Sequence, residues 1–167
     1  MIKIRQITFF LYYLCSNMKL ISLFLFIFLS ISCVSYQDNS TDFAEVNQLR
    51  EEKKYMDTIS ILKSIIESNK SSKEDVSKSH FIIADILLND FRNYQLAIIE
   101  FNKVIDISIN NDYRKKSLFM VGYIYHNNLQ QFTDALYVYE QFKSEYPSDE
   151  LIASVDYEIN LINKILE

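Results

Sequence analysis

Glycine and proline are nearly absent from this sequence: Gly122 and Pro147 are the only ones in 167 residues, against roughly 7% and 5% in average proteins. Without glycine there can be no Walker loop, no dinucleotide fingerprint and no nucleophile elbow. Tight hairpins and barrels also lose the residues that their turns require. Cysteine is confined to Cys15 and Cys33, so nothing beyond residue 33 can form a disulfide, bind metal through sulfur or attack as a thiolate. The only histidines, His80 and His126, lie far apart and have no HExxH spacing, which argues against a metal site.

Acidic residues are missing from the N-terminal region, where Lys3, Arg5 and Lys19 are the only charges before residue 33. The remainder carries 14 basic and 22 acidic residues, a balance of 14 − 22 = −8. Nucleic acid would need a basic stripe, so it is not the expected partner. Arg114, Lys115 and Lys116 form one basic cluster, which reads as a solvated helix start. Glu51-Glu52, Glu74-Asp75 and Asp149-Glu150 are sequence neighbours that point to different sides of a helix, so they do not form a paired acid and base. Neither catalysis nor a cofactor is expected.

What is present divides the chain in three. Residues 1–32 read as a signal or leader: Met18, Lys19, an apolar run from Leu20 to Leu29, then small residues. The apolar stretch to Val34 would span roughly 22 Å as a helix, against a hydrocarbon core of about 30 Å. Met18 is the favoured start. The alternative keeps Met1 and uses the earlier run Ile7 to Leu14 as part of an uncleaved anchor. Residues 33–41 read as a polar tether, and 42–167 as one all-α domain.

The segment Leu29-Ser30-Ile31-Ser32-Cys33 resembles a bacterial lipobox, with Ser32 before the cysteine and Leu29 displaced by one from the usual leucine position. The resemblance implies lipidation at Cys33 and attachment to a membrane through several acyl chains. Val34, in place of Asp, would favour the outer membrane, facing the periplasm, in a Gram-negative envelope.

Within 42–167 an offset of 38 residues aligns Ile83, Ala84, Leu87, Ala97 and Phe101 with Val121, Gly122, Tyr125, Ala135 and Tyr139. A fixed period of this size signals stacked helix pairs. Leu118, Val121, Gly122, Tyr125, Ala135, Tyr139 and Pro147 resemble the tetratricopeptide pattern; His80, Ile83, Ala84, Leu87, Ala97, Phe101 and Ile109 form a looser copy. Val46, Leu49, Tyr55, Thr58, Leu62 and Ile65 form a degenerate one. Four residues exceed the usual period of 34, one of them in the turn within each pair and three in the link between pairs. Longer outer helices of this kind are similar to those of the BamD-type outer-membrane assembly lipoproteins and of the repeat domain of the Tol-Pal accessory protein, although the array here is shorter. The implied fold is a tetratricopeptide-like superhelix with pairs at about 42–69, 73–108 and 112–146 and a capping helix over 148–166. Small residues at Ala84, Ala97, Gly122 and Ala135 would let paired helices approach to about 8–10 Å.

Capping-box spacing places helix starts at Asp42 with Glu45 and at Ser71 with Glu74; Asn111-Asp112 opens another, and Ser148 caps the last. Ile152, Val155, Ile159, Ile162 and Leu166 form one helical stripe, widened by Leu151, Leu161 and Ile165. The wider stripe is read either as deeper burial or as a self-association surface.

The family resemblance assigns a partner groove to the first helix of each pair. Carried onto matching positions it comprises Lys78, Phe81, Asp85, Leu88 and Asn89, then Lys116, Phe119, Tyr123, His126 and Asn127. Its aromatics could bury apolar anchors and its asparagines could bond a partner's backbone. The expected function is a lipid-anchored protein-binding scaffold of the bacterial envelope, in outer-membrane protein assembly or envelope maintenance. The alternative is a homo-oligomer built through the C-terminal helix.

Overall fold

Apolar residues recur at three- and four-residue spacing from Phe43 onward, and each such stretch folds as a helix with its apolar stripe turned inward. The structure is a computed structural model that describes residues 39–107 and 112–167, and side chains from residue 43 onward within them. The leader over 1–32, Cys33, the tether up to residue 38, Ile109 and Asn111 lie outside the described residues. The chain is all-α: seven helices and no strand occur among the described residues. They are α1 (Asn39–Glu51), α2 (Tyr55–Glu67), α3 (Lys73–Asn89), α4 (Tyr94–Ile107), α5 (Asp112–Tyr123), α6 (Phe132–Glu145) and α7 (Ile152–Leu166). A π-helical turn, Ile124–Asn128, extends α5.

Consecutive helices pack against one another along the whole series, and α3 also packs on α5. Two groups of buried side chains result. Phe43, Val46, Ile59, Leu62 and Ile65 of α1 and α2 close on Ile82, Ile83 and Ile86 of α3. The other side of α3, with Ala84 and Leu88, joins Phe101, Leu118, Val121, Tyr139, Phe142, Val155 and Ile162 in a second group that runs to α7. Helix α3 is therefore buried on both flanks, which its apolar residues from Phe81 to Ala84 and from Ile86 to Leu88, on either side of Asp85, allow.

Three turns share one device. Lys53, Arg92 and Gln130, at the turns after α1, α3 and α5, have φ of 56°, 51° and 55°, the left-handed region that glycine usually fills. Asn93 N–H donates to Leu87 O and Gln131 N–H to Tyr125 O, both at 2.8 Å and both spanning six residues. These wide bonds close the turns after α3 and α5, the second of them together with the π-turn at Ile124–Asn128. An L-residue in this conformation costs about 1–2 kcal/mol. Gln130→Gly should therefore raise folding stability, by about 0.5–1 kcal/mol after glycine's greater chain entropy is counted. Urea unfolding measures it, and a loss of stability would contradict the reading of this turn.

Helix starts differ from the spacing-based expectation. Helix α1 begins at Asn39, so Asp42 lies inside it and the polar tether ends before residue 41. The capping box before α3 is Ser72 with Asp75, one residue later than Ser71 with Glu74: Asp75 N–H donates to Ser72 Oγ at 3.1 Å, and Ser72 N–H to Asp75 Oδ2 at 3.0 Å. Ser71 instead donates its hydroxyl to Ile65 O at 2.6 Å, closing the end of α2. Ser148 does not cap α7, which starts after Leu151 without a side-chain cap. Asp149 holds the preceding turn, accepting from Leu151 N–H at 3.0 Å.

Candidate partner-binding face

The alternate helices α1, α3, α5 and α7 are joined by side-chain contacts that cross from each to the next. Lys78 on α3 sets its ammonium 3.8 Å from the centre of the Phe43 ring on α1, and Arg50 on α1 pairs with Asp85 on α3. Phe81 on α3 meets Tyr113 on α5 at 5.3 Å between ring centres, and Phe101 on α4 at 5.4 Å. On α5, Lys115 bonds Asp149 at 2.8 Å. The His126 ring, at the end of the α5 extension, places Nδ1 2.6 Å from Glu158 Oε2 on α7. That geometry puts the proton on Nδ1, as donor to the carboxylate.

These contacts divide the expected groove set. Leu88 is buried in the core at 7% exposure, and His126, at 6%, is committed to Glu158 with its ring against Phe132. Neither faces a partner. Phe81 and Phe119 are half-buried, Phe119 lying on Tyr139 and stacking on Tyr123. Asn89 and Asn127 are exposed, and each already spends an amide N–H within the protein: Asn89 Nδ2 donates to Asp85 Oδ1 at 2.7 Å and Asn127 Nδ2 to Glu158 Oε2 at 3.2 Å. Their side-chain carbonyls, with the second N–H of Asn89, are what a partner could meet. Lys116 is exposed, and Tyr123 is 38% exposed.

The residues read as repeat packing sit as follows. Ala84, Ala97, Ala135 and Tyr139 have no exposed surface, and Gly122 is buried beneath the Tyr139 ring. Tyr125 is half-buried, and its carbonyl closes the turn to Gln131. Pro147 is exposed just beyond the end of α6, where it cannot prolong the helix. Burial pushes the Tyr139 hydroxyl well above its usual range, helped by the nearby Glu158 carboxylate.

The basic cluster is only partly solvated. The Arg114 side chain is 11% exposed and forks onto Glu145, with Nε donating to Ile105 O at 3.0 Å and Nη1 to the Tyr146 hydroxyl at 3.2 Å. Burial opposes the charge on Glu145, but the bonds from Arg114 and Gln141 prevail and hold its carboxyl below the usual range. Lys115 is raised by its bonds to Asp149 and Asp112. Of the three, only Lys116 stands free in solvent. Sequence reading missed both long-range acceptors, because a contact 31 or 34 residues away leaves no local pattern.

On the wide stripe of α7, Leu151 packs against the core and Leu161 is half-buried, whereas Ile165 is 56% and Leu166 58% exposed. Tyr157, one turn before Leu161, is 61% exposed. No group of three or more His, Cys, Asp or Glu side chains among the described residues could hold a metal ion. No helix among them is long and apolar enough to cross a membrane. Known protein-family models do not match the chain, and no curated protein matches it.

Proposed function

We propose that this chain is a lipid-anchored scaffold of the bacterial cell envelope, which docks another protein on the face formed by α1, α3, α5 and α7. The supporting observation is the row of contacts that ties these alternate helices together, Arg50 to Asp85, Phe81 to Tyr113 and His126 to Glu158. Such a row is what a tetratricopeptide-like superhelix would build along its inner surface, and the left-handed turns at Lys53, Arg92 and Gln130 support the same repetition. Tyr123 gives this face an exposed aromatic beside the half-buried Phe119. Outer-membrane protein assembly or envelope maintenance is the setting that the resemblance implies.

A photo-crosslinking residue placed at Tyr123 should trap a discrete partner in membranes, whereas the same residue at Tyr137, 73% exposed on α6, should not. Equal trapping at both, or none at Tyr123, sinks the proposal. The anchor is tested by labelling with a palmitate analogue: Cys33→Ala should abolish the label, and label that survives places the lipid elsewhere.

One observation favours a second reading, a homo-oligomer assembled through α7. Tyr157, Ile165 and Leu166 leave apolar surface on a terminal helix, which invites a copy. Sedimentation of the detergent-solubilised chain separates the readings, since a constant monomer mass up to high concentration ends the second one.

A further inference from the structure

Between the C-terminal ends of α1 and α3 lies a cleft of about 540 Å³, within the roughly 300–1,000 Å³ of ordinary ligand-binding clefts. Arg50 and Glu51 line it from α1, Tyr55 from the start of α2, and Asp85, Asn89 and Asp90 from α3 and its end. Its charges do not cancel. Arg50 pairs with Asp85, whose second oxygen takes an Asn89 N–H, so the two charges offset each other and both Asp85 oxygens are occupied. Glu51 and Asp90 remain, both exposed and neither in an ion pair among the described residues.

The cleft has further chemistry besides charge. Tyr55 carries an aromatic ring into it, braced edge-on by Phe91 at 6.0 Å between centres, and the neighbouring Asp90 carboxylate pushes its hydroxyl above the usual range. The Asn89 amide gives one N–H to Asp85, which leaves its carbonyl as an acceptor and its second N–H as a donor, and Asn47 adds a second carboxamide. An aromatic ring, two uncompensated carboxylates and amide acceptors together suit an organic cation attached to a peptide backbone. A bare metal ion is not the fit: the three carboxylates do not come together as a ligand set.

The geometry points to this cleft as the receptor for a lysine or arginine side chain on a partner's extended segment, with Glu51 and Asp90 pairing the cation beside Tyr55. This rests on the scaffold reading and gives the partner its chemistry. It is opposite in sign to a groove that would clamp a carboxylate, because the one arginine present is already neutralised.

The experiment uses the full chain in neutral detergent and a fluorescein-labelled octapeptide of alternating Lys and Ser, with a Glu/Ser octapeptide as counterpart. Anisotropy should rise with the Lys peptide and not with the Glu peptide. The variant E51Q/D90N should bind the Lys peptide about tenfold more weakly, equivalent to about 1.4 kcal/mol. The control D106N/E140Q removes the same charge from exposed positions on α4 and α6 and should weaken binding by less than about twofold. Equal loss in both variants, unchanged binding by E51Q/D90N, or equal binding of the two peptides would each overturn the assignment. The two readings fail separately. A partner trapped at Tyr123 that binds E51Q/D90N as tightly as the parent removes the cleft alone. Absence of trapping at Tyr123 removes the scaffold while the peptide measurements stand.

Discussion

Replacing Gly122 by alanine should lower folding stability by about 1–3 kcal/mol, although the same change at an open helix site gains up to about 1 kcal/mol. A Cβ built at Gly122 lies 2.5, 2.8 and 2.9 Å from Cε1, Cδ1 and Cζ of Tyr139, distances that real Cβ atoms do not tolerate. The ring cannot easily retreat, because Tyr139 is fully buried with Phe119 against it and Phe142 one turn along. In the preceding pair the equivalent positions are Ala84 and Phe101, so there the ring must leave room for a methyl group that α5 has lost. A double-mutant cycle with Tyr139→Leu identifies the cause: the alanine should cost less in the leucine background, with a coupling of about 1 kcal/mol or more. Additive losses would place the strain elsewhere.

The parts of this fold legible in the sequence are those carried by local pattern. The 38-residue offset exposes the small residues at Ala84, Gly122, Ala97 and Ala135 because one helix hairpin repeats the contacts of another, and the stripe through Val155, Ile159 and Ile162 marks α7. The capping box before α3 was readable only to within a residue, and the one read at Asp42 with Glu45 falls inside α1. Ser71 and Ser72 are chemically alike, and the choice between them falls to the carbonyl of Ile65, which no local rule names. The candidate face was less legible. Periodicity puts Leu88 and His126 on the same angular position in successive repeats, but whether that position meets solvent depends on neighbours far along the chain. Glu158 turns His126 inward, and the core around Phe101 and Leu118 takes Leu88. A groove carried over from a family pattern therefore lists angular positions, whereas exposure is decided by packing.

The same long-range logic makes Arg114 the polar residue whose loss should cost most. Its guanidinium stands where α4, α5 and α6 meet, donating to the end of α4 through Ile105 O and to the end of α6 through Glu145 and Tyr146. Arg114→Met keeps much of the apolar stem but removes the guanidinium donors from the Ile105 carbonyl and from the Glu145 carboxylate, which retains the Gln141 amide. Removing one partner of a fully buried pair costs about 3–5 kcal/mol; the Glu145 side chain is 32% exposed, so solvent reduces this to about 1.5–3 kcal/mol. Arg114→Lys restores the charge but not the fork, and a point charge cannot reach the α4 carbonyl and both carboxylate oxygens together, so less than half of the loss should return. Lys116→Met, two residues away in solvent, should change stability by no more than about 0.5 kcal/mol. Urea unfolding of the three variants ranks them directly. Equal effects at Arg114 and Lys116 would mean that the cluster acts through bulk charge, and that the junction of α4, α5 and α6 is held by its apolar contacts alone.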